Sequence, residues 1–162
     1  MLVVPKNERS FSESMAEFVC SFDERRVPRN AIGIACTAFT DTIGVAAAGS
    51  RQAEIPIMMS VLGENTAEGA HIIPGGARRP PAQATLINAT AAHSLDYDDV
   101  ALDGHTSAVL VPAILATAEE TEASGRRAVE AYLVGFHVWA ELHARKAVRL
   151  HDLGWHPTSV FG

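Results

Sequence analysis

Residues 82–99 read Ala82-Gln83-Ala84-Thr85-Leu86-Ile87-Asn88-Ala89-Thr90-Ala91-Ala92-His93-Ser94-Leu95-Asp96-Tyr97-Asp98-Asp99. The first fourteen contain neither glycine nor proline and predict a helix over 82–95. The last four place three carboxylates at its C-terminal end. Helical signal returns at 106–123 and again at about 126–150, with Gly125 just before the third segment. Three long helices in the second half of the chain predict a mainly α fold.

Upstream, periodicity is lost between Gly63 and Pro81, where Gly69, Pro74, Gly75, Gly76, Pro80 and Pro81 accumulate. This reads as a loop over 63–81 with a brief extended piece at His71-Ile72-Ile73. Gly75-Gly76 is a poor phosphate cradle, because no strand precedes it and no glycine-rich phosphate-binding pattern follows. A short helix is predicted over 53–62, with Pro56 tolerated in its first turn. A longer one is predicted over 29–48, rich in alanine and glycine, so that another helix can approach its backbone. Ser10-Phe11-Ser12-Glu13 has the form of a capping box. Phe11, Met15, Phe18 and Phe22 then form one helical stripe, read as core. No internal repeat and no sustained period-two alternation is visible. The expectation is an all-α, multi-helix bundle occupying 1–162 as a single domain.

The chain has 48% hydrophobic and 20% charged residues and a formal charge of -6. Its few Arg pairs are scattered, which argues against nucleic acid as a partner. The apolar surplus points to a second chain or domain, and an oligomer is expected. Cys20 and Cys36 lack CxxC spacing and read as buried, reduced thiols, in keeping with a cytoplasmic location. Met1-Leu2-Val3-Val4-Pro5 is too short for a signal peptide. The apolar stretch 31–49 contains Asp41 and several glycines and threonines, so a buried helix is expected there and no membrane span.

The chemistry concentrates in His93-Ser94-Leu95-Asp96-Tyr97-Asp98-Asp99 and in His105 six residues later. Carboxylates beside one another at the negative end of a helix are unfavourable, and such crowding suits a general acid or base. The plain alternative is a solvated turn in which Asp98 and Asp99 cap the next segment. Asp and His also suit divalent metals, but the spacing matches no tight ligand pattern, and no metal is assigned. A second cluster, Gly154-Trp155-His156-Pro157-Thr158-Ser159, fixes a loop histidine between an aromatic and a proline. His137, His143 and His151 read as solvent-facing or satisfied within the core.

The first cluster, continued through Gly104-His105-Thr106-Ser107 into Val111-Pro112-Ala113, resembles the signature of the MmgE/PrpD family. Asp41 to Ser50, the stretch Ala82–Ala92 with Asn88, Ser124-Gly125, Ala131, Gly135-Phe136 and residues 154–162 resemble further family motifs in the same order. The resemblance runs from about Ser10 to Gly162. It implies the N-terminal part of a helical domain, with the lid domain and active-site lysines downstream of this stretch. It also implies a metal-independent lyase or isomerase for small di- or tricarboxylates, without cofactor and typically a homodimer. Members dehydrate 2-methylcitrate in propionate metabolism, decarboxylate cis-aconitate or epimerise iminodisuccinate. By position, Asp96, His105 and His156 match the catalytic residues, with Asp99, Ser107 and Thr158 assigned to substrate binding or support. Val100 stands where the family commonly has Thr, and Thr106 where Pro usually follows the histidine. Residues 1–162 alone are expected to turn over little substrate; the alternative is a non-catalytic relative serving as a dimerising or binding helical module.

Overall fold

In the computed structural model, which describes residues 9–162, Ser10 opens helix α1 (Phe11–Ser21) through the capping box. The Glu13 amide donates to the Ser10 hydroxyl, and the Glu13 carboxylate accepts from the Ser10 amide. Those bonds hold the Glu13 carboxyl below its ordinary range, the backbone one most strongly. The run Met1–Pro5, read as too short for a leader, lies outside the described residues.

The Phe11, Met15, Phe18 and Phe22 stripe does face inward, but it does not enter the buried core as the sequence predicts. All four residues stay half-buried on the outside of a later helix, where the Phe18 ring lies 4.1 Å from His137. The guanidinium of Arg145 sits 4.5 Å over Phe11.

Helix α2 (Arg29–Gly49) buries Ala35, Ala38, Thr42, Ala46 and Gly49, which recur at three- and four-residue spacing along one face. The buried helix expected here is buried along one face. The small residues face inward while Ile34 and Ile43 are exposed on the other side. By length and composition α2 would be able to cross a membrane, yet it packs along its small-residue face on other helices. Both cysteines are exposed as well, contrary to expectation. Cys36 lies one position, about 100° of helix, past the buried Ala35. Cys20 lies off the inward stripe of α1.

Helix α3 (Glu54–Val61) carries Pro56 in its first turn, and Gly63 follows with φ of +89°. The predicted loop contains more order than the sequence suggests, in the form of two short antiparallel strands, β1 (Ala70–His71) and β2 (Arg78–Arg79). Gly75 and Gly76, with φ of +119° and +98°, make the reversal between them, so their role is the turn. Asn88 pins this hairpin to helix α4 (Pro81–His93): its side-chain oxygen accepts from the Ile73 amide and its NH2 donates to the His71 carbonyl, both at 2.9 Å.

Helices α5 (Thr106–Glu120) and α6 (Gly125–Arg145) complete the frame, and α7 (Pro157–Phe161) closes it. The third long helix stops five residues earlier than predicted, because the backbone turns extended at Lys146. Among the described residues the architecture is a helical bundle with the two-stranded hairpin beside it. One apolar cluster joins α2, α3, α4, α5 and the hairpin around Ile55, Ile87 and Ala91. A second joins α2, α5 and α6 around Val111 and Tyr132. Helices α2 and α5 thus stand between two cores, which fixes the ends of α4 and α5 relative to each other.

Candidate active site

At the C-terminal end of α4, His93 is the last helical residue and the Ser94 amide still donates to Thr90. Asp96 then adopts φ of +53°, a left-handed conformation that aspartate tolerates better than most residues. The chain reverses there, so Tyr97 is thrown into solvent while Asp98 turns inward. The Asp98 carboxylate is fully buried. Both its oxygens lie 3.2 Å from Nδ1 of His93, and one lies 3.0 Å from Nδ1 of His105. The His105 nitrogen is off the axis that a hydrogen bond needs, so this contact is a close approach of the ring to the carboxylate. A carboxylate oxygen accepts, which favours the ring hydrogen on Nδ1 of both imidazoles and turns each Nε2 to the other side as the acceptor.

His105 caps α5 without a side-chain bond of its own. Its ring is mostly buried, and its Nε2 lies 3.7 Å from an oxygen of the exposed Asp96 carboxylate. His156 comes from the start of α7. Its ring is stacked on that of His105 at 6.0 Å between centroids and lies 6.1 Å from that of His93. The three residues predicted as catalytic, Asp96, His105 and His156, therefore converge. Beside them a cavity of about 390 Å³ is lined by Glu54, Thr90, His93, Ser94, Val109 and Thr158.

Of the residues predicted to touch substrate, Thr158 lines that cavity, while Asp99 and Ser107 bond to each other behind the site. Asp99 accepts from the backbone amide of Ser107 at 3.2 Å and from its hydroxyl at 2.5 Å. The Ser107 hydroxyl also meets the Tyr132 hydroxyl at 2.7 Å, and Ser107 is 1% exposed. This pair thus satisfies the first turn of α5 from behind the site, the capping role that the sequence left open for Asp98 and Asp99 together. Burial pushes the Tyr132 phenol up, and the Asp99 carboxylate adds to that while the Ser107 bond opposes it. Thr158 accepts from the His105 amide at 2.9 Å, holding α7 against α5. The sequence places His93 and Asp98 in the chemical cluster but assigns neither a role of its own. Their five-residue separation, one on a helix and one beyond a left-handed turn, corresponds to neither regular period.

The loop that delivers His105 is tied down by Asp103, which accepts from Lys146 and, at 3.2 Å, from Nε2 of His143. Lys146 chiefly, then His143, lowers the Asp103 carboxyl from 3.8 to about 2. A depressed carboxyl stabilises the fold above its ordinary value and loses that contribution as pH falls through the lowered one. Asp103→Asn should accordingly flatten the acid limb of the stability curve between about pH 4 and pH 2. Parallel loss in both proteins, followed by urea melts across that window, would show that the tie contributes nothing. His137 is partly exposed and His151 is exposed, in line with their reading as solvent-facing, and the His151 ring lies 5.6 Å from that of His156.

Residues 13–162 match the MmgE/PrpD N-terminal domain family. No curated protein matches the chain at a significant level.

Proposed function

The chain belongs to the MmgE/PrpD family, and on that premise we propose that it provides the proton-transfer centre of a lyase or isomerase for a small polycarboxylate of the 2-methylcitrate or cis-aconitate type. What supports this reading is the proximity of Asp96, His105 and His156 to one another, with a buried carboxylate behind His105. Such substrates hold a C–H bond next to a carboxylate, and breaking it needs a base whose lone pair is aimed and kept. Nε2 of His105 fills that role, since Nδ1 faces Asp98.

In an elimination the proton passes from carbon to Nε2 of His105. The electron pair left behind forms the carbon–carbon double bond, and the C–O bond breaks. The departing hydroxide takes a proton from the His156 imidazolium and leaves as water. Asp96, exposed and within 3.7 Å of Nε2, accepts the proton in turn once His105 carries it. A cytoplasmic setting belongs to the same proposal, because the two exposed thiols are unpaired, a state that a reducing compartment maintains.

Binding and exchange test the reading together. Titration with 2-methylcitrate or cis-aconitate is expected to shift the His105 and His156 ring resonances saturably. Exchange of the substrate C–H for deuterium should fall by about 10²–10⁴ in His105→Ala. Ring resonances that stay fixed at millimolar acid, or exchange that survives both His105→Ala and His156→Ala, would exclude this assignment.

A further inference from the structure

The histidine cluster has a second chemical competence, carried by its three-fold shape. The ring centroids of His93, His105 and His156 form a triangle with sides of 4.2, 6.0 and 6.1 Å. One ligand nitrogen from each lies within 4.8 Å of the other two. Around a tetrahedral ion with Zn–N bonds of about 2.0–2.1 Å, and ring centres about 1.1 Å beyond each nitrogen, imidazole centroids stand about 5 Å apart. The observed triangle brackets that spacing. His156 is exposed and free to close the longer sides by side-chain rotation.

The surroundings match as well. Ligating histidines ordinarily turn their second nitrogen to a carboxylate, which fixes the tautomer and raises ligand basicity. Asp98 stands in that relation to both His93 and His105, at 3.2 and 3.0 Å from their Nδ1 atoms. Asp96, 3.7 Å from Nε2 of His105, supplies an oxygen at the open side. Imidazole donors select a transition metal over magnesium or calcium, which take oxygen ligands.

We propose that His93, His105 and His156 form a binding site for a divalent transition-metal ion of the zinc class, with Asp96 as an available fourth ligand and Asp98 orienting two of the imidazoles. Given the acid–base reading above, the consequence is inhibition. The ion occupies the same nitrogen lone pairs that His105 and His156 use for protons, so a metallated site transfers none. The binding itself does not depend on that reading.

The test uses tag-free protein, first stripped with a chelator. Titration with Co²⁺, followed by visible d–d absorption, is expected to saturate at one ion per chain with the intense bands of a tetrahedral site, and Zn²⁺ is expected to bleach them. His156→Ala, at an exposed position, should weaken Zn²⁺ binding in calorimetry by about tenfold or more. His93→Gln should do the same while circular dichroism reports an unchanged helix content, and His151→Ala should stay within about threefold of the parent. Absence of saturable one-to-one binding, or affinities in His156→Ala and His93→Gln within threefold of the parent, overturns the proposal. No substrate enters these measurements, so failure of the metal site and failure of the lyase assignment are told apart.

Discussion

Gly49→Ala is expected to destabilise the fold by about 3 kcal/mol or more, the high end of the cost of overpacking a core. Gly49 ends α2 where that helix crosses α4, and a Cβ built there would stand 1.9 Å from the carbonyl oxygen of Ala91 and 3.0 Å from its carbon. Both sides of the contact are backbone, so no side chain can rotate away. The two helices would have to separate along an interface that includes Ala46, Ala91 and Ala92, all at most 1% exposed. Alanine's better helix propensity offsets at most about 1 kcal/mol, and less at a helix end. Sterics therefore win. Gly44→Ala provides the contrast within the same helix. A Cβ there meets nothing within 4 Å, so the propensity term acts alone and the variant should be neutral or gain up to about 1 kcal/mol. Urea midpoints of the two variants decide the matter, and equal midpoints would show that α2 and α4 are not in close contact at Gly49.

Asp98→Asn should lower proton exchange on the substrate by about 10²–10⁴, although the side chain keeps nearly its shape and touches no substrate. An amide in that buried position presents one acceptor and one NH2 group to two imidazoles that both now face acceptor oxygens. One of the rings must take the other tautomer, with its hydrogen on Nε2, where the lone pair is needed. Ring nitrogen chemical shifts of His93 and His105 separate this effect from a loss of folding: one of the two should change tautomer at unchanged helix content. Retention of both parent tautomers together with parent exchange rates would remove Asp98 from the positioning role.

The helical order of the chain was legible because its signals are local. The Ser10 capping box, the proline in the first turn of α3 and the uninterrupted run before His93 each act within one or two turns, and each element forms where those signals stand. The site was legible as a set of residue types but not as an arrangement. Asp98 and Asp99 are neighbours of the same chemistry, yet one turns to the imidazoles and the other caps α5. That division is set by the left-handed backbone at Asp96 and by Tyr132 on another helix. Cys36 follows the same logic: the alanine and glycine content of α2 shows that a neighbour can approach closely, but which of its faces is turned inward, and so the exposure of Cys36, is set by packing against α4 and α5.

The joint between the His105 loop and α7 bears on the order in which the molecule comes together. The amide of His105 is satisfied by the hydroxyl of Thr158, which is 53 positions further along the chain. A Cβ at Gly104 would stand 2.9 Å from the Trp139 ring and 3.1 Å from that same hydroxyl, so three distant segments meet over a single unsubstituted carbon. Contacts of such long sequence separation form after local helices, once loop closure has been made good by other packing. On the ribosome, the imidazole triad therefore becomes complete only after residues 157–161 have emerged and docked. A spectroscopic handle on His156 would consequently time the last step of assembly, distinct from the earlier collapse of α2, α4 and α5.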